Sequence, residues 1–231
     1  MAANVRVLQR VELPTPAFSD RSDAGRALAL VVAPEPDPDA FVLALPRGGV
    51  PVGQRIAAAL GCRMQLVPVR KLPIPTSPEM GFGALTLDGT VTLNHAVMDR
   101  FGVTFGQAAL VIEDVRRELE RRAATYPGGG VLPDLAGGQV VLVDDGLATG
   151  YTMLATCEMV RRSDPSRLVV AVPVAPTHTL ELIAEHCDEL VCLIAQEGLQ
   201  GFAVASFYER FPDLTDAEVI DAFSSDPQGV R

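Results

Sequence analysis

The sequence predicts an α/β protein built on a mostly parallel, doubly wound sheet. Short apolar runs of buried-strand length alternate with segments whose apolar residues recur every three or four positions. Hydrophobic residues make up 48% of the chain but aromatics only 5%, so the core is aliphatic. The 20 Gly and 18 Pro supply the many tight connections that such an alternation needs.

The elements follow in order. Residues 1–19 read as a lead-in. Asp20 can cap a helix over 21–32, whose stripe is Ala24, Leu28, Val31 and Val32, and PEPDP at 34–38 stops it. FVLAL at 41–45 is a buried strand, followed by the turn Pro46-Arg47-Gly48-Gly49 and a helix over 50–60 that Gly61 closes. A second strand spans 64–69. Residues 71–95 then form a Pro-rich excursion with a short hairpin at Asp88-Gly89, expected to act as a flexible lid. Thr104 and Gln107 form a capping box that opens a helix to 124, with Val111, Val115, Leu119 and Ala123 on one face. Glu113/Arg117 and Glu118/Arg122 are i,i+4 pairs read as a solvated surface. After a break at Pro127–Gly130 come a strand over 139–144, a turn to Gly150, a helix over 151–162, a strand over 167–172, a helix over 177–186 and a strand over 189–193. The whole is expected to be a single domain over 1–231, with a helical insertion at 98–135 and a tail at 198–231. Ligands of such a sheet bind at the carboxyl ends of its strands.

Several function classes are excluded. With 29 acidic and 19 basic residues, the net charge of −10 offers no bulk field for nucleic acid. A local basic pocket for a small phosphate ligand is still compatible with it. Cys62, Cys157, Cys187 and Cys192 form no paired spacing, and the three His are scattered, which argues against zinc. With no leader pattern and no apolar run of membrane-spanning length, the expectation is a cytoplasmic protein with reduced thiols that does not bind a membrane.

Three segments carry chemistry, each directly after a strand. VVLVDDGLATGYT delivers two adjacent carboxylates, Asp144 and Asp145, from a buried strand. Adjacent acids repel and need compensation, which vicinal hydroxyls or Mg²⁺ would supply. The turn Gly146-Leu147-Ala148-Thr149-Gly150, with Tyr151 and Thr152, presents backbone N–H groups at a helix N-terminus and suits a phosphate monoester. Pro46-Arg47-Gly48-Gly49 adds a fixed cation and two glycines that permit close approach of a ligand. Arg70-Lys71 places two cations at the end of the second strand; Lys71 is the sole lysine among 19 basic residues. The glycines at 48, 49 and 53 do not spell a dinucleotide fingerprint, and no Walker A loop is present.

VVLVDDGLATGYT resembles the signature that type I phosphoribosyltransferases use to bind 5-phosphoribosyl 1-pyrophosphate (PRPP). PRGG looks like their pyrophosphate loop, and Arg-Lys before a long loop looks like their catalytic hood. ALPRGGVPVG, VRKLPIPTSPEMGFGAL, LVDDGLATG and VAVPVAP together resemble a bacterial group of such proteins with unassigned acceptor; the likeness covers roughly 18–220. It implies that Asp144 and Asp145 hold the ribose hydroxyls and that Gly146, Leu147, Ala148, Thr149, Gly150, Tyr151 and Thr152 cradle the 5′-phosphate. It further implies that Arg47, Gly48, Gly49, Arg70 and Lys71 bind pyrophosphate, with Arg47, Arg70 and Lys71 as the catalytic cations. A non-proline cis peptide near Arg47–Gly48, Mg²⁺ bridging PRPP oxygens without a direct protein ligand, and a homodimer are implied as well.

Two positions depart from the family pattern. Ala148 stands where enzymes acting on 6-oxopurines carry an acid, and Tyr151 occupies a turn position that is often small. The expected reaction is transfer of the phosphoribosyl group to a nitrogen of a small-molecule acceptor, releasing pyrophosphate. The alternatives are a non-catalytic PRPP-binding regulator and a hydrolase of a phosphoribosyl compound. Phe202, Phe207 and Tyr208 could stack on a base or, the favoured reading, pack the tail; His178 and His186 are read as structural, and Glu79 and His95 as candidate bases from the lid.

Overall fold

The computed structural model describes residues 3–33, 35–126, 131–198 and 201–224. Its elements are β1 (Asn4–Val11), α1 (Arg21–Val32), β2 (Phe41–Ala44), α2 (Gly49–Leu60), β3 (Arg63–Leu66), β4 (Val69–Ile74), β5 (Ser77–Thr86), β6 (Val91–Leu93), α3 (His95–Phe101) and α4 (Phe105–Ala123). They continue with β7 (Gln139–Val143), α5 (Tyr151–Arg161), β8 (Arg167–Pro176), α6 (Thr177–Ala184), β9 (Glu189–Gln196), a 3₁₀ turn (Val204–Phe207) and α7 (Asp216–Ser224).

Six strands form a parallel sheet in the order β1-β9-β8-β7-β2-β3. The chain runs outward from β2 to β3 in one direction and from β7 through β8 to β9 in the other. The order therefore reverses between β2 and β7, where an open α/β sheet leaves a crevice for ligands. Alternation along β2 fills both faces. Val42 and Ala44 pack with Leu28, Ile56 and Leu60 of α1 and α2, while Leu43 and Leu45 pack with Met153, Val160 and Ile183 of α5 and α6.

Local signals set many boundaries. The Asp20 side chain accepts from the Asp23 N–H to start α1, and the Thr104–Gln107 capping box is complete at the start of α4. Among the described residues no helix is long and apolar enough to cross a membrane.

Four expectations need correction. The lead-in contains β1, an edge strand parallel to β9; its exposed positions give little of the alternation that marks a half-buried strand. The strand expected over 64–69 is two strands, because Pro68 lacks the donor a ladder needs. β3 stays in the main sheet, and β4 leaves it for a second one. The excursion over 71–95 is not irregular: β4, β5 and β6 form an antiparallel sheet with a register shift where Pro73 meets Gly81. Its prolines read as breakers, yet Leu72, Ile74, Phe82 and Leu85 are buried against Met98, Val103, Ala108 and Leu119 of the helical insertion. Only the tip from Pro75 to Met80 is largely exposed. Finally, β8 and β9 extend several residues past the expected ends. The break at 127–130 lies outside the described residues.

Candidate functional site

The pairing of β2 with β7 sets the site. Ala44 lies beside Val143, and the Leu45 N–H donates to the Val143 carbonyl at 2.9 Å, so the two following loops start side by side. Pro46 and Arg47 are joined by a cis peptide bond. Gly48 follows, and a Cβ built there would sit 2.0 Å from Asp145 Oδ2, so any larger residue collides with the acid. The glycine in PRGG exists to let the acid pair in.

The two acids have different surroundings. Asp145 accepts from Arg21 Nε at 2.7 Å, and this pair is largely buried, with side-chain exposures of 9% for Arg21 and 14% for Asp145. Arg21 also donates from Nη1 to the Pro212 carbonyl at 2.7 Å, and its guanidinium lies 3.6 Å from the centre of the Phe211 ring. Tyr208 Oη donates to the Asp145 carbonyl at 2.6 Å. Asp144 has no comparable cation; its Oδ1 accepts from the Asp145 N–H at 2.8 Å. Burial and the neighbouring Asp145 charge push its carboxyl well above the ordinary range. Burial raises Asp145 too, against the pull of Arg21.

The turn after these acids opens α5. Gly150 is its N-cap at φ 76°, a left-handed angle that glycine tolerates, and no side chain caps the helix. First-turn N–H groups without an internal partner and the positive end of the helix dipole therefore face outward, an arrangement that favours an anion. The Leu147 N–H is anchored on the Val174 carbonyl at 2.9 Å and the Ala148 carbonyl accepts from Thr179 Oγ1 at 2.8 Å, which hold the turn's shape. Gly146, Leu147, Ala148, Thr149, Gly150, Tyr151 and Thr152 line a cavity of about 210 Å³, together with Lys71, Gly81, Gly83 and Val204. Tyr151 forms part of its wall.

Arg70 and Lys71 diverge. Successive residues of a strand point to opposite faces. Lys71 lies over the cavity, its ammonium donating to the Glu79 carbonyl, while Arg70 approaches Glu118 of α4 at 3.7 Å. Arg47 stands on the Arg70 side, 4.0 Å from Asp216 at the start of α7. Arg122 Nε is 3.1 Å from the same carboxylate, and Tyr126 Oη donates to it at 3.1 Å. Burial and Arg122 lower the pKa of Arg70.

Sequence reasoning missed Arg21, Phe211 and Asp216, and it read Tyr208 as tail packing and Arg122 as a surface pair. Each lies far along the chain from the group it meets. His95 pairs with the Phe105 ring at the start of α4 and lines a separate cavity, and the Glu79 side chain is exposed. Phe207 and Tyr208 are buried and Phe202 packs on Phe207, in keeping with a packing role. All four cysteines are free and buried. Among the described residues no group of three or more His, Cys, Asp and Glu could hold a metal ion.

A family model described as the phosphoribosyl transferase domain matches residues 33–206. A Mycobacterium tuberculosis protein, provisionally named a phosphoribosyl transferase, is 38% identical over 205 residues, which is 88% of this chain and 45% of that protein. The chain thus spans about half the length of the curated relatives it matches. Among solved structures, TT1426 from Thermus thermophilus superposes with a TM-score of 0.69 at 34% identity, covering 89% of this chain and 96% of that one. AQ2163 from Aquifex aeolicus shares the fold at a TM-score of 0.51 and 14% identity, over 83% of this chain and 89% of its own. The chain belongs to the phosphoribosyl transferase family.

Proposed function

We propose that this protein transfers the 5-phosphoribosyl group of PRPP to a nitrogen of a small-molecule acceptor. The observation that carries the reading is the meeting of the Arg47 loop with the acid pair, where Gly48 has no room for a side chain against Asp145. In this reading the two halves of a PRPP site meet at the reversal of strand order.

In this reading the α5 turn binds the 5′-phosphate through backbone N–H groups and the Thr149 and Thr152 hydroxyls. Asp144 accepts from the ribose hydroxyls, and Asp145, steadied by Arg21, completes the contact. Arg47, Gly48, Gly49 and Arg70 hold the pyrophosphate. Lys71 approaches from the other side of β4, above the cavity that the α5 turn lines, and would screen it from water together with the β4–β5 hairpin. The C1–O bond to pyrophosphate breaks as the nitrogen–C1 bond forms, and pyrophosphate departs with the bonding electrons. Arginines placed where that charge develops lower the barrier. Mg²⁺ would enter with the pyrophosphate, since Asp145 is engaged by Arg21 and, among the described residues, no group of three or more His, Cys, Asp and Glu could hold it; it would neutralise leaving-group charge.

A neutral ring acceptor must lose a proton as its nitrogen attacks, and Ala148, with Leu147 and Thr149 beside it, supplies no base. The acceptor therefore brings its own reactivity, as an easily ionised N–H, an anionic ring or an amine. Guanine and hypoxanthine should be poor substrates. The test is pyrophosphate release from Mg-PRPP across an acceptor panel, with Asp144→Asn as control. Acceptor-dependent release that the substitution abolishes supports transfer. PRPP binding with no release on any acceptor would make the protein a PRPP-binding regulator, and efficient use of either purine would refute the reading of Ala148.

A further inference from the structure

We propose that Arg122, delivered by the helical insertion, is a third pyrophosphate ligand beside Arg47 and Arg70, and that Asp216 is the internal counterion it holds in the free protein. This rests on the reading of the Arg47 loop as the pyrophosphate site.

Three guanidinium groups from separate elements face one place: Arg47 from the loop after β2, Arg70 from β4 and Arg122 from α4. An ordinary surface role does not fit Arg122. Its helical neighbours Arg117 and Arg121 have side chains 67% and 65% exposed, whereas that of Arg122 is 25% exposed and turned inward. Its i,i+4 partner Glu118 is 4.0 Å away and is engaged by Arg121 through two hydrogen bonds of 2.9 and 3.0 Å.

The carboxylates nearby only partly satisfy this cluster. Arg47 is 4.0 Å from Asp216 and Arg70 is 3.7 Å from Glu118, both beyond hydrogen-bond range. Arg122 Nε is ion-paired to Asp216 Oδ2 at 3.1 Å, but its N–H is not aimed at that oxygen and makes no hydrogen bond. A buried donor so poorly aligned gains from a better-placed acceptor. Asp216 itself is rigidly presented: Thr215 and Glu218 form a capping box for α7, Val219 and Phe223 are buried, and Gln54 of α2 donates to the Ala222 carbonyl at 2.8 Å. A diphosphate brings more acceptor oxygens and more charge than one carboxylate, and guanidinium groups bind such oxygens in pairs.

The test is calorimetric titration of the full chain with Mg-pyrophosphate, Mg-PRPP and ribose 5-phosphate. Arg122→Gln should weaken pyrophosphate and PRPP binding by about tenfold, as loss of a charge-assisted hydrogen bond does. Ribose 5-phosphate should bind within twofold of wild type, and Arg122→Lys should recover part of the loss. Asp216→Asn breaks the same ion pair but leaves Arg122 free, so it should keep or tighten pyrophosphate binding. If Asp216→Asn loses as much affinity as Arg122→Gln, the pair is structural and the proposal is overturned. If Arg122→Gln binds pyrophosphate normally while Arg47→Gln does not, Arg122 is no ligand. Normal binding by Arg47→Gln would instead overturn the underlying placement of pyrophosphate.

Discussion

The turn from Gly146 to Thr152 and the cluster around Arg47 are the two anion sites we propose, yet they are made of different material. The turn contains no charged side chain; it offers backbone N–H groups at the start of α5, held by hydrogen bonds from Leu147 and to the Ala148 carbonyl. The cluster is charge throughout, three arginines offset by Asp216 and Glu118. Backbone dipoles are fixed once the chain folds, whereas guanidinium groups must exchange one set of counterions for another when ligand binds. The first design gives a phosphate a permanent seat. The second suits a group that must leave.

The largest effect should come from the acids between these two ends. Asp145→Asn leaves Arg21 buried without the carboxylate held 2.7 Å from it, and losing that counter-charge should outweigh the relief of no longer burying the Asp145 charge, destabilising the fold by about 3–5 kcal/mol, read from denaturant midpoints. Asp144→Asn should act in the opposite direction. Because the folded state keeps a proton on Asp144 to higher pH than the unfolded chain, that group stabilises most below its ordinary value of 3.8 and loses this contribution as pH rises. The Asn variant should therefore be more stable than wild type at neutral pH, with the advantage shrinking toward pH 4. A ribose-binding role requires the same variant to lose PRPP affinity; a stable Asp144→Asn protein that binds PRPP normally would break that role. A double substitution of both acids is a poor probe, since its stability loss belongs to Arg21.

Gly48→Ala comes next. Its methyl group would meet the Asp145 carboxylate, an overpacking that costs about 1–3 kcal/mol, and it should reduce PRPP affinity by separating the two ends. Retained affinity would mean that the ends do not work as one site.

Salt sharpens the contrast directly. Raising NaCl should weaken pyrophosphate binding more steeply than ribose 5-phosphate binding, because side-chain ion pairs are screened more than helix-end amides held in the fold. Equal slopes would mean the cluster and the turn recognise their anions alike. The smallest change in stability belongs to Lys71→Ala. The residue is exposed, so stability should stay within about 0.5 kcal/mol while turnover of PRPP falls.

The sequence made the turn legible because everything it needs is contiguous: a strand, two acids, small residues and a helix start. The cluster was only half legible. Arg47 and Arg70 stood in recognisable places, but Asp216 reaches them only because α7 packs on α2, and Arg122 wore the disguise of a helical i,i+4 pair. Arg21 meets Asp145 across 124 positions, beyond any local pattern. The same division runs through the fold. Caps such as Asp20 and Thr104 announce helices within a few residues, whereas β4, β5 and β6 are strands because of what the insertion buries against them, in spite of their prolines.

The four cysteines have a practical consequence in labelling chemistry. All are buried, and burial pushes their thiols upward, Cys62 to about 11 and Cys187 and Cys192 to about 12, with Cys157 higher still. A thiolate is the reacting species, so at neutral pH the native protein should be nearly silent to maleimides and to mild oxidants. One cysteine introduced at Thr76, on the exposed tip of the β4–β5 hairpin, would then report alone. Its modification rate with and without Mg-PRPP would measure whether the ligand shields that hairpin, with no other residue contributing to the signal.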